Sequence, residues 1–383
     1  MKIVVDNKIP YLKGVLEPYA EVVYKPGSQI SNRDVRDADA MIVRTRTKCN
    51  ETLLKGSRMK FIATATIGFD HIDRAYLNRQ NISWTNAPGC NSSSVQQYIA
   101  SVLTTLVDSL PEKPTIGIVG LGNVGTKVEK LARILDMEVL RNDPPRERAE
   151  GGTHWSSFEE ILDRSDLVTL HVPLNTEGKD KTHYMISEKV LSRIPANTIL
   201  INTSRGEVVD SSALKKALNR SKLKTAVLDV WENEPDIDPE LFNQVKIGTP
   251  HIAGYSRDGK ANGTAQSVRA ISRFFGLGLD NWYPIDIEPP QNPVVRLNTS
   301  GKTVREILFE AVQTTYNVKN DDLRLREKPD TFEKQRGDYP VRREFNAYRL
   351  ETDPDLPDST WQKLTELGFQ VAPVREKDRK PHS

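Results

Sequence analysis

The sequence has little cysteine. Cys49 and Cys90 are the only two in 383 residues, which excludes a disulfide framework and a cysteine-built zinc site. Histidine is also sparse. The six are scattered, with no pair at helical metal-ligand spacing, so no metal is expected. No apolar run approaches the roughly 20 residues that span a bilayer, so no membrane is expected. An excess of one charge is missing too: 54 Lys and Arg against 52 Asp and Glu give a net charge of +2. That balance removes the electrostatic argument for nucleic acid. Residues 1–6, Met-Lys-Ile-Val-Val-Asp, read as a first strand and not as a signal peptide. A soluble cytoplasmic protein is the expectation.

What is present is regular alternation. Residues 3–5, 21–24, 40–43, 61–65 and 82–85 read as short strands with helices between them, the pattern of a parallel sheet with crossovers. A long helical pattern over 93–109 follows, then further strands at 137–140, 167–171, 198–201 and 225–229. Residues 251–276 read as helical again and return the chain to the first domain. Past residue 284 the composition changes. Three prolines near residue 290 mark a linker, a mixed helical pattern covers 304–318, and strands are expected at 345–350 and 369–374. The tail from Arg375 is basic and reads as frayed. The expected fold is α/β. It comprises two doubly wound, Rossmann-like parallel-sheet domains plus a small C-terminal α+β domain. The boundaries are 1–95 with 253–283, then 96–252, then 284–383.

The most specific stretch is the strand-like run 115–119 leading into Gly120-Leu121-Gly122-Asn123-Val124-Gly125. A helical pattern with Val128, Leu131, Ile134 and Leu135 follows, then a strand that ends at Asp143. This is the order of a dinucleotide-binding βαβ unit. Gly120 permits the tight turn, Gly122 lets a pyrophosphate approach the backbone, and Gly125 allows close helix–strand packing. Asn123 and Val124 open the helix whose free N–H groups face the phosphates. The Asp143 carboxylate accepts hydrogen bonds from the ribose hydroxyls and repels a 2′-phosphate, which favours NAD. Arg141 and Arg146 beside it argue in the other direction.

Three polar segments each follow a strand: Asn202-Thr203-Ser204-Arg205-Gly206, Asp229-Val230-Trp231-Glu232-Asn233-Glu234-Pro235 and Thr249-Pro250-His251-Ile252-Ala253-Gly254-Tyr255. Ligands of open parallel sheets bind at the carboxyl ends of the strands. Oxidising an alcohol needs a base for the hydroxyl proton, and histidine suits neutral pH. A carboxylate orients the ring, and an arginine grips a substrate carboxylate and polarises the forming carbonyl. The candidates are His251 as acid/base, Glu234 as its partner and Arg205 as the carboxylate ligand. Asp229 is placed nearer the nicotinamide.

These segments together resemble the D-isomer-specific 2-hydroxyacid dehydrogenases. The segments 64–71, 87–91, 142–146, 316–322 and 342–345 extend the likeness to a branch of that family carrying an additional C-terminal domain. The resemblance implies NAD-dependent oxidation, at C2, of a four-carbon 2-hydroxy acid phosphorylated at C4, in pyridoxal 5′-phosphate biosynthesis. It places catalysis on Arg205, Glu234 and His251, and substrate contacts on Thr45, Thr66 and Tyr255. It places cofactor contacts on Asp143, Thr203, Ser204, Arg205, Asp229 and Gly254. Val172 stands where a threonine can contact the cofactor, and Thr45 where some relatives carry serine. The resemblance also implies a homodimer formed through the C-terminal domain. A substrate phosphate needs cations; Arg44 and Arg46, just after a strand, are the candidates. Arg342 and Arg343, reaching a partner's site across the dimer, are weaker ones. Two other readings remain: a dehydrogenase for another acid such as 3-phosphoglycerate, and a non-enzymatic NAD-sensing protein.

Overall fold

The computed structural model describes residues 1–373; the basic tail from Arg375 lies outside the described residues. The chain forms two compact units. One comprises Met1–Ser92 with Tyr255–Glu288; the other comprises Ser93–Gly254 with the segment from Pro289 onward. Among the described residues no helix is long and apolar enough to cross a membrane.

The first unit is a five-stranded, wholly parallel sheet: β1 (Lys2–Asp6), β2 (Glu21–Lys25), β3 (Ala40–Val43), β4 (Phe61–Thr64) and β5 (Ser83–Thr85), in the order β2-β1-β3-β4-β5. Its central strands are apolar at nearly every position because both faces are covered. Alternate side chains go to opposite faces. Ile3, Val5, Ala40, Ile42 and Phe61 pack with Val268 and Ile271 of the helix Arg257–Phe275. Val4, Met41, Val43 and Ile62 pack on the other side with Leu54 and Leu77. The chain leaves β1 in one direction to β2 and then in the other to β3. The carboxyl ends of β1 and β3 therefore flank a topological switch point. Both cysteines are buried in this unit as free thiols.

The second unit holds a six-stranded parallel sheet: β6 (Thr115–Val119), β7 (Glu138–Asn142), β8 (Leu167–Leu170), β9 (Ile199–Asn202), β10 (Thr225–Leu228) and β11 (Ile247–Gly248), ordered β11-β10-β9-β8-β6-β7. Its switch point lies between β6 and β8. The helix Asn123–Ile134 buries Val128, Leu131 and Ile134, as the 3.6-residue spacing predicts, while Leu135 ends it half-buried. A third sheet is built from β12 (Val294–Arg296), β13 (Arg349–Thr352) and β14 (Gln370–Pro373). All its pairs are parallel, with helices in the connections.

This C-terminal segment is packed into the nucleotide-type unit, not appended to it. Leu325 and Phe332 are fully buried in the same core cluster as Leu170, Leu200, Trp231 and Phe242. Arg326 stacks on Phe242 at 4.8 Å and donates to the carbonyls of Phe242 and Val245. The backbone N–H of Gly248, in β11, donates to Asp322 at 2.7 Å.

Several elements differ from the sequence reading. The helix expected from residue 251 starts only at Arg257, capped by the Ser256 hydroxyl. Residues 251–254 form an irregular loop, because His251 adopts a left-handed backbone (φ 55°) that no helix accommodates. The pattern over 304–318 is broken at Tyr316 into two helices, Val304–Thr315 and Val318–Glu327.

Candidate active site

The glycine loop turns sharply after β6. Gly120 has φ 87°, and a Cβ there would meet the His171 carbonyl oxygen at 2.6 Å. A Cβ on Gly125 would lie 1.9 Å from the Gly120 carbonyl oxygen. These two glycines serve the packing of the protein itself. Gly122 differs: a Cβ there would meet nothing within 4 Å. Protein packing gives no reason for glycine at that position, whereas a ligand backbone lying against the loop does. Gly122 and Asn123 are exposed and Val124 is half-buried at the start of the helix.

Asp143 ends the strand–helix–strand unit. Its Oδ2 accepts from the Leu121 N–H (2.8 Å) and its Oδ1 from the Arg146 N–H (3.0 Å). That fixes the carboxylate at the loop with lone pairs left over for a ribose diol. The two neighbouring arginines are already engaged. Arg146 pairs with Glu150 at 2.7 Å, Arg141 pairs with Glu129 at 3.4 Å, and both lie over the Trp155 ring. The donor set therefore fits an unphosphorylated ribose better than a 2′-phosphate. Across the switch point, His171 and Val172 follow β8. Desolvation pushes the His171 pKa down to about 3, leaving the ring neutral between the Thr169 and Thr203 hydroxyls.

Three loops at the carboxyl ends of β9, β10 and β11 are stitched together. After β9, Asn202 closes the turn: its amide donates to the Arg205 carbonyl, and its Oδ1 accepts from the Ser204 N–H and hydroxyl. A Cβ on Gly206 would lie 2.0 Å from the Trp231 carbonyl carbon, so the loops after β9 and β10 touch backbone to backbone. The Trp231 N–H donates to Glu234 Oε1 (2.9 Å), and its indole N–H donates to the Thr249 carbonyl (2.9 Å). Glu234 Oε2 then lies 2.8 Å from Nδ1 of His251. Arg205 is half-buried, with Nη1 donating to the Ser204 carbonyl at 2.8 Å. The structure thus joins the Arg205, Glu234 and His251 segments through these contacts.

The electrostatics follow. Burial works against the Glu234 carboxylate, but hydrogen bonds from His251 and Trp231 outweigh it and hold its pKa below the ordinary range. Asp229 is 1% exposed. Burial pushes its pKa up, against the pull of His251, the Thr249 hydroxyl and the N–H groups of Ala253 and Ile252. Asp229 accepts from Thr249 Oγ1 (2.6 Å), Ile252 N (2.7 Å) and Ala253 N (2.8 Å). It therefore organises the loop ending at Gly254.

The remaining candidates belong to the first unit, and all but Tyr255, which precedes the helix Arg257–Phe275, follow its strands. Arg44, just past β3, is aimed by the fully buried Asp6 at the end of β1 (Nε–Oδ2 3.0 Å). Thr45 and Arg46 follow it and are exposed. Thr66, after β4, donates to the Gly68 carbonyl at 2.9 Å and shares a 2.8 Å bond with the Thr64 hydroxyl, which is 3.1 Å from His71 Nε2. Tyr255 lies under the Lys260 ammonium at 4.9 Å.

Sequence reasoning missed Asp6, Asn202, Trp231 and Thr249, which position site residues through backbone or hydroxyl bonds. Arg342, a weaker candidate for a partner's site, has its contacts within its own chain. Its guanidinium is 5% exposed, on the carbonyls of Ser94, Ile252 and Ala253.

Fold and loops define an NAD-dependent dehydrogenase of the D-2-hydroxyacid class. Residues 92–253 match the family described as "D-isomer specific 2-hydroxyacid dehydrogenase, NAD binding domain". Residues 289–368 match a domain of unknown function, DUF3410. A D-lactate dehydrogenase from Aquifex aeolicus complexed with NAD and lactic acid superposes with a TM-score of 0.61, covering 76% of this chain and 100% of that one at 26% identity. NAD-bound 3-phosphoglycerate dehydrogenase of Entamoeba histolytica gives 0.62 over 75% and 99%, at 25% identity. The erythronate-4-phosphate dehydrogenase of Bacteroides fragilis is 49% identical over 91% of this chain and 99% of its own length. That of Proteus mirabilis is 39% identical over 97% and 99%. The chain belongs to the erythronate-4-phosphate dehydrogenase family.

Proposed function

We propose that this chain oxidises 4-phospho-D-erythronate at C2, giving (R)-3-hydroxy-2-oxo-4-phosphooxybutanoate on the route to pyridoxal 5′-phosphate. The observation that carries the reading is the His251–Glu234 pair at 2.8 Å, fixed on the sheet that bears the glycine loop. Bound NAD supplies the hydride acceptor. Gly120, Gly122, Asn123, Val124 and Gly125 hold its pyrophosphate, and Asp143 its ribose. Val172, Thr203, Ser204, Arg205, Asp229 and Gly254 line the nicotinamide side.

With Glu234 accepting from Nδ1–H, the neutral His251 ring keeps the Nε2 lone pair free to take the C2 hydroxyl proton. Glu234 stabilises the imidazolium that results. Arg205 grips the substrate carboxylate and polarises the oxygen that becomes the carbonyl. In the first unit, Thr45, Thr66 and Tyr255 contact the substrate, and Arg44 and Arg46 take its phosphate. The buried Asp6 supports this for Arg44: an arginine clamped at Nε presents a fixed edge to an anion. A homodimer and a cytoplasmic location complete the proposal.

The test is NADH formation at 340 nm with 4-phosphoerythronate. His251→Ala removes the base and is expected to lower kcat by about 100- to 10,000-fold, with NADH binding retained. Wild-type turnover by His251→Ala would remove His251 from this role.

A further inference from the structure

The C-terminal segment matches a domain of unknown function, yet one of its side chains lies on the loop that carries His251. Arg342 Nη1 donates to the Ile252 carbonyl (3.3 Å), and Nη2 donates to the carbonyls of Ala253 (2.6 Å) and Ser94 (2.9 Å). The N–H groups of the same residues, Ile252 and Ala253, donate to Asp229. Directly after His251, the backbone is thus held by a buried carboxylate at its donors and a buried guanidinium at its acceptors. We propose that Arg342 is a positioning residue for proton transfer, fixing His251 against Glu234 through the Ile252 and Ala253 carbonyls. This rests on the assignment of His251 as the acid/base.

Three observations support it. First, His251 has φ 55°, a backbone state that a non-glycine residue keeps only where its surroundings over-determine it. Second, the guanidinium is itself held in place. The Tyr316 ring lies 4.4 Å from it, Tyr339 hydrogen-bonds it, and both tyrosine hydroxyls donate to Asp321. The flanking residues are pinned to the helix Ser92–Thr105: Gln97 donates to the Arg343 carbonyl, and Ser94 donates to Glu344. Third, filling space does not call for a buried cation, since an apolar side chain packs at lower cost. A planar fork reaching three carbonyls does call for arginine. A second residue of the segment acts on the same pair, because the charge of Arg336 helps to lower the pKa of Glu234.

The experiment uses the full chain with Arg342→Lys, Arg342→Gln, Tyr339→Phe and His251→Ala. It reads kcat and KM for 4-phosphoerythronate, the NADH Kd by fluorescence, and the pH dependence of kcat/KM. Arg342→Lys keeps the charge and loses the fork. It is expected to lower kcat at least about tenfold while the NADH Kd stays within about twofold. The acidic limb of its kcat/KM profile, which reports the base, is expected to move down by about half a unit as the Glu234 alignment loosens. Tyr339→Phe is expected to do the same more weakly, and it decides the matter if the Arg342 variants do not fold. A fall in kcat uniform across pH, with the limb in place, would mean only fewer native molecules and would overturn the proposal. So would wild-type kcat in folded variants. An active His251→Ala would instead strike at the acid/base assignment, so the two failures are distinguishable.

Discussion

His251 and Glu234 form a pair whose strength is readable from pH. Glu234 has a pKa held below its ordinary value of 4.5, so its contribution is complete above that value and is lost as pH falls through the lowered pKa. Glu234→Gln is isosteric with the protonated acid. Its melting temperature is therefore expected to lie below wild type at neutral pH and to approach it as pH falls below the ordinary carboxylate range. A gap that stays constant in thermal unfolding over that range would contradict the pairing. Arg44 makes a second prediction at this scale. Its Nε and, at 3.5 Å, its Nη2 donate to Asp6, so Nη1 carries the proposed phosphate contact. Arg44→Ala should raise KM for 4-phosphoerythronate by about 10- to 100-fold, the worth of one charged hydrogen bond. The loss for D-glycerate should be much smaller. Steady-state assays on both acids check this, and equal losses would remove Arg44 from the role.

The elements near the glycine loop separate packing from binding. Gly122→Ala leaves the fold intact, because the added methyl meets nothing, but it should weaken NADH binding at least about tenfold, read by fluorescence titration. Gly206→Ala should do the opposite and cost several kcal/mol of stability, because its methyl falls on the Trp231 backbone. Unchanged melting in Gly206→Ala would contradict the backbone contact. This is also the scale at which the sequence is most and least informative. The apolar runs of β1, β3 and β4 and the Gly120–Gly125 loop declare themselves because local spacing and sheet burial coincide. The two-residue β11 and three-residue β12 are too short for any period to show. The stretch after His251 reads as helix because the helix that does begin at Arg257 continues its composition. The three loops were legible as site segments because each places polar residues just past a strand. Arg342 was not, since its partners are backbone carbonyls 89, 90 and 248 residues away, which leave no mark in side-chain pattern.

For the whole molecule, the C-terminal segment is part of the nucleotide-type unit. Leu325 and Phe332 share its core, each contributing about 1.5–3 kcal/mol of burial. A chain ended after Glu288 is therefore expected to be insoluble or to lack a cooperative melting transition. A truncated chain that melts like the full one would show the segment to be an accessory. The central claim joins fold, site and substrate, and its most direct test is a comparison of acids. 4-Phosphoerythronate, 3-phosphoglycerate and D-glycerate would be supplied with NAD to wild type and His251→Ala, with NADH formation followed in single-turnover and steady-state modes. The account predicts rapid reduction of NAD with 4-phosphoerythronate, a kcat/KM at least about 100-fold lower for the other two acids, and loss of the reaction in the mutant. A preference for 3-phosphoglycerate, or no turnover of any acid by a chain that binds NADH, would contradict it.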